Sequence, residues 1–189
     1  MKIDVTKDKI KTATKKLMAE CKNPAQVTSR TIAQEAGVQL AMINYCFGSR
    51  EGLLFTLFKE MSESHFRECP QIYGVLQSDI QPKEKLRQLH YLIAGMLLNN
   101  FSYTQAVTGY VLLHRDLSLG LNSLPLVIAH YNGRKTMQEC QLISYELSSI
   151  MQLAVNRHEA LHEFCGIDLT DSEQLKKYVD MQIDIFLQN

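Results

Sequence analysis

The sequence lacks any apolar run long enough to cross a membrane. The longest, Tyr91 to Leu98, falls far short of the ~18 residues that a spanning helix needs. It also lacks a surplus of charge: 20 basic residues stand against 20 acidic ones, so the whole-chain balance names no partner. No segment alternates apolar and polar with period two, which argues against a sheet. There is no internal repeat and no low-complexity stretch. The five cysteines (Cys21, Cys46, Cys69, Cys140 and Cys165) are odd in number and never spaced C-x-x-C. The opening MKIDVTKDKI has no apolar core of the kind a secretory signal carries. These features lead us to expect reduced thiols and a cytoplasmic protein. No P-loop, dinucleotide fingerprint or nucleophile elbow occurs, so no catalytic group and no cofactor is expected from those motifs.

What is present is an uneven distribution of charge over a helical pattern. Residues 1–50 hold nine Lys and Arg against four Asp and Glu, a net +5, and the remainder carries −5. A basic head on an acidic body suits a segment that faces a polyanion. The plainer reading is chance variation on solvated helices. From Thr6, a candidate N-cap, Ile10, Ala13, Leu17, Met18 and Cys21 recur at helical spacing, and Asn23-Pro24 ends that helix. Short helices are predicted over Ser29–Ala36, capped by Thr28, and from about Gln39 to Cys46. A fourth runs from the cap Ser49 to about Cys69, with Leu53, Leu54, Leu57, Phe58 and Met61 as its stripe. The stretch 70–82, bracketed by Pro70 and Pro82 and holding Gly74, reads as a hinge between head and body. Further helices are predicted over Pro82–Asn99, from Phe101 to about Leu119, from Leu124-Pro125, over Arg134–Cys165 with a break near Asn156, and over Glu173–Leu187 behind a cap at Thr170 or Asp171.

Within this pattern the window Ser29–Cys46 is the informative one. Two short helices crossing steeply around a tight turn need a small residue in the first, and Ala33 supplies it. The turn needs a residue that accepts a left-handed backbone, and Gly37 supplies that. Ile32, Ala36, Val38, Ile43 and Cys46 fall where side chains must point inward. An ordinary helical hairpin is the competing reading. Cys46 is taken as a buried core thiol, with a redox role as the alternative.

The segment Ile10–Met61 resembles the DNA-binding domain of the TetR family of transcriptional regulators. The resemblance is carried by Thr28-Ser29-Arg30-Thr31-Ile32-Ala33-Gln34-Glu35-Ala36-Gly37-Val38 and by Ile43-Asn44-Tyr45-Cys46-Phe47-Gly48-Ser49-Arg50-Glu51-Gly52-Leu53. It implies an all-α fold of about nine helices, in which residues 1–48 form a helix-turn-helix domain. Residues 49–189 would then form an effector-binding and dimerisation domain, joined through the helix at 49–69. It further implies a homodimer on palindromic operator DNA, most simply a repressor, released by a small-molecule effector. Gln39 suits adenine and Met42 a thymine methyl. Leu40 is either a methyl contact or a packing residue, and Asn44 a base or phosphate ligand. Tyr45 suits a phosphate, or else packs on the fourth helix. Thr28, Ser49 and Arg50 face phosphates at helix N-termini, where Thr28 and Ser49 also serve as caps. Met96, Phe101, Tyr103, Tyr110, His114 and Met137 are candidates for an effector cavity through the resemblance; as residue types they are equally core.

One motif points elsewhere. His158-Glu159-Ala160-Leu161-His162 matches H-E-x-x-H, the zinc-hydrolase pattern, but the x-x-G-x-x-H extension is missing. Cys165, Asp180 or Asp184 would have to complete a site, and a solvated helical turn is the plainer reading, so no metal is expected.

Overall fold

Every regular element is helical among the described residues, which in this computed structural model are 2–21, 23–114, 117 and 123–188. Eleven α-helices occur there: α1 Lys2–Glu20, α2 Ser29–Ala36, α3 Ala41–Phe47, α4 Arg50–Glu68, α5 Pro70–Gln77, α6 Pro82–Asn99, α7 Phe101–His114, α8 Leu124–Tyr131, α9 Met137–Asn156, α10 His158–Cys165 and α11 Ser172–Phe186. A short 3-10 turn, Pro24–Gln26, lies between α1 and α2. None of these helices is long and apolar enough to cross a membrane.

The count exceeds the nine implied by the resemblance, through α5 and the separate α10. The 70–82 stretch is not a hinge throughout, because α5 occupies most of it. Pro70 takes the first helical position, where its missing N–H costs nothing and its φ is already helical. Thr6 does not begin α1, which starts earlier, at Lys2. The break expected near Asn156 falls at Arg157, and Asp171 caps α11 by accepting from Gln174 N–H at 2.9 Å. The expected end of the α7 helix near Leu119 lies outside the described residues.

The chain divides into two compact units. The first combines residues 1–68 with 100–114, so α7 joins α1–α4. Its core gathers Ile10 and Met18 from α1, Val27, Ile32 and Ala33, Ile43 from α3, Leu53, Leu54 and Leu57 from α4, and Val107 and Val111 from α7. The expected division at 48/49 does not coincide with this partition, because α4 shares a core with the helices before it.

The second unit combines 69–99 with 115–189. Here α6 is the hub, packing on α5, α8, α9 and α11. A capping box starts α9, with Thr136 N–H donating to Glu139 at 2.7 Å and Glu139 N–H donating to Thr136 Oγ1 at 3.3 Å. Arg87 bridges α6 to α11 through Asp184 at 2.7 Å and Asp180 at 3.2 Å, and Lys83 adds a contact to Asp184 at 2.8 Å. These cations hold the Asp184 carboxyl down to about 2.

Burial pushes the His90 imidazole on α6 down to about 4. Above the unfolded value of 6.5 both states are neutral there. Between 6.5 and 4 only the unfolded chain takes up the proton, so stability falls as pH drops through that window. The expected loss is about 3 kcal/mol by pH 4. Melting curves of the native chain and of His90→Leu between pH 7.5 and 4.5 test this. The variant should lose part of the acid slope, and equal slopes would refute the assignment.

Candidate nucleic-acid interface

The corner between α2 and α3 is built by backbone chemistry that the sequence dictates. Thr28 is extended and caps α2: Thr31 N–H donates to Thr28 Oγ1 at 3.2 Å, and Thr28 N–H donates to Thr31 Oγ1 at 2.9 Å. At the other end Gly37 adopts the left-handed conformation, φ 62° and ψ 38°. Its N–H donates to Gln34 O at 3.2 Å, and Val38 N–H donates to Ala33 O at 3.0 Å. This pair of bonds is a Schellman closure, in which the residue after the glycine turns back onto the helix. Val38 accordingly packs against the core beneath. A β-branched side chain at Gly37 would strain that backbone.

The corner sorts α3 into two faces. Ile43 is fully buried, and Met42, Cys46 and Phe47 pack against the shared core. Gln39, Leu40, Ala41, Asn44 and Tyr45 are exposed. Leu40 is 49% exposed and Tyr45 69%, which disfavours a packing role for either. Met42 is half-buried, with its side chain packed partly against the core. The helix starts at Ala41, two residues later than expected, with Leu40 at its cap position.

Ser49 caps α4, accepting from Gly52 N–H at 2.9 Å. Arg50 does not present a free guanidinium. Its Nε donates to Val27 O, its Nη2 to Pro24 O at 2.7 Å and its Nη1 to Glu51 at 3.1 Å. The side chain is only 19% exposed. Arg50 thus clamps the start of α4 to the 3-10 turn and the residue before Thr28. Arg30, not singled out in the sequence, is exposed in the first turn of α2, two residues past Thr28. Its signal was available, as a basic side chain beside a helix cap. Some of the basic surplus is spent inside the unit: Lys16 pairs with Glu35 at 2.7 Å, and Lys11 with Glu60 at 3.1 Å.

The six candidate effector residues separate. Met96 and Met137 belong to the second unit, and Phe101, Tyr103, Tyr110 and His114 to the first. Tyr110 lies between the rings of Phe55, at 5.5 Å, and His114, at 5.1 Å. Tyr103 packs on the first unit's core, and burial raises its phenol. His114 and Met137 are exposed.

His158 and His162 sit on α10, a helix with no buried residue. Among the described residues no group of three or more His, Cys, Asp and Glu stands close enough to hold a metal ion. Comparison with protein-family models, curated proteins and solved structures gives no match for this chain.

Proposed function

We propose that this chain is a DNA-binding transcriptional regulator of the TetR type, acting as a homodimer on a palindromic operator. The observation that carries the reading is the two-faced α3. A seven-residue helix and the two residues before it, held from below by Ile43 and a closed glycine corner, offer Gln39, Leu40, Ala41, Asn44 and Tyr45 to solvent. A helix of this kind inserts between phosphate ridges and meets base edges with its outward side chains. Thr28, Arg30 and Tyr45 supply phosphate contacts around it. Gln39, Leu40 and Asn44 face the bases.

The second copy is supported by exposed apolar side chains on two neighbouring helices of the second unit, Leu142, Ile150 and Leu153 on α9 and Met181 and Ile185 on α11. Burying them against a mate removes apolar area from water. A twofold dimer would hold two recognition helices about 34–36 Å apart, one turn of DNA. Release by a small-molecule effector, and repression as the outcome, are supported by the resemblance. Such an effector weakens operator binding only by the ratio of its affinities for the two head spacings.

A gel-shift series with the duplex flanking the gene itself tests the reading. The full chain should retard that duplex as a dimer, with affinity falling steeply as salt rises. A chain that retards no duplex even at low salt is not a regulator of this type.

A further inference from the structure

The outward face of α3 is chemically one-sided. In the major groove guanine presents two acceptors, N7 and O6, that arginine or lysine reads, and cytosine presents an amino donor that aspartate or glutamate accepts. The stretch Val38–Phe47 contains none of these four residue types, and no serine or threonine either. It contains two exposed amides, Gln39 and Asn44, each able to donate to adenine N7 while accepting from N6. It also carries the exposed isobutyl group of Leu40, which matches the thymine methyl and nothing on guanine or cytosine. Leu40 and Asn44 are four residues apart, hence on one side of the helix. Ala41 beside them is small and exposed, so it does not hold the helix away from the bases.

We infer that the base pairs beneath α3 are A·T pairs, with adenines read by Gln39 and Asn44 and a thymine methyl covered by Leu40. The inference rests on the proposed major-groove placement of α3 and names the DNA that this site takes. Guanine, with two acceptors, or cytosine, with one donor, would engage only half of each amide and leave its carbonyl or its amino group unpaired, whereas adenine engages both.

Selection of bound duplexes from a random pool by the full chain at one fixed salt concentration tests it, repeated with Leu40→Ala and Asn44→Ala. Both side chains are exposed, so neither change disturbs the core. The positions whose preference relaxes in a variant are those beneath α3. The expected result is that they are A·T, with discrimination falling about five- to 150-fold in Asn44→Ala. Replacing thymine by uracil at the position relaxed by Leu40→Ala removes the methyl alone. It should weaken binding of the native chain and leave the Leu40→Ala variant unaffected. Relaxed positions that prove to be G·C, or a uracil penalty equal in both proteins, would overturn the inference while leaving the regulator reading intact. A native chain that selects no sequence over random DNA would end both.

Discussion

Replacing Gly52 by alanine is expected to do more damage than any other single-methyl change in the first unit. Gly52 is buried in the first turn of α4. A β-carbon built there falls well inside van der Waals contact of the Phe47 carbonyl oxygen. The obstacle is backbone, at the end of α3, and so no rotamer change relieves it. Phe47 is tied in turn to the left-handed Gly48, φ 75°, and to the core beneath. Relief therefore requires α3 and α4 to part, which shifts the face carrying Asn44 and Tyr45. Overpacking of this kind costs about 1–3 kcal/mol, sometimes more. For a unit of this size that lowers the melting temperature by about 4–8 °C per kcal/mol. Gly109→Ala in α7 is the matched control: nothing lies within 4 Å of its built β-carbon. It should be neutral or stabilising by up to ~1 kcal/mol. If both variants melt with the native chain, the close approach at Gly52 is not a constraint.

Arg50→Gln is the second substitution expected to have a large effect, and its signature separates two roles. Were the guanidinium a phosphate ligand, its loss would weaken DNA binding and flatten the salt dependence by about one unit of slope. The hydrogen bonds to the carbonyls of Pro24 and Val27 predict otherwise. Removing them leaves two carbonyls of buried residues without a charged donor. Each such bond contributes about 1.5–3 kcal/mol. Thermal stability should therefore drop, affinity should drop with it, and the salt slope should stay unchanged. Arg50→Lys should fail to restore stability, because a single ammonium cannot span both carbonyls in the planar fork geometry of arginine. A flattened slope at undiminished stability would return Arg50 to the phosphates.

Local chemistry made much of the first unit legible. Gly37, Thr28 and the α2 bounds follow from rules that involve neighbours in sequence: a left-handed corner, a cap and a proline upstream. The same holds for α6, which begins at Pro82 and ends at Asn99 as its punctuation suggests. Three features were not legible, each for a physical reason. Pro70 reads as a stop, yet the same residue starts α5, because proline is excluded from a helix interior and favoured at its first turn. In a helix of seven residues, periodicity alone does not decide which apolar side chain lies outside. Leu40 lies in solvent and Met42 packs partly on the core. The partners of Arg50 are main-chain carbonyls more than twenty positions away, and a carbonyl carries no residue-specific signal.

The membership of α7 in the first unit has a consequence for synthesis. Val107 and Val111 belong to the same core as Ile32 and Ile43, although the 69–99 segment of the other unit separates them in the chain. A nascent chain released from the ribosome only as far as residue 68 has made α1–α4 but lacks one wall of their shared interior. Domains ordinarily fold in order as they emerge. Here the leading unit must wait for part of the trailing one to be translated. For the same reason, residues 1–68 grafted as a cassette onto another protein would carry an unfinished hydrophobic surface into the chimera.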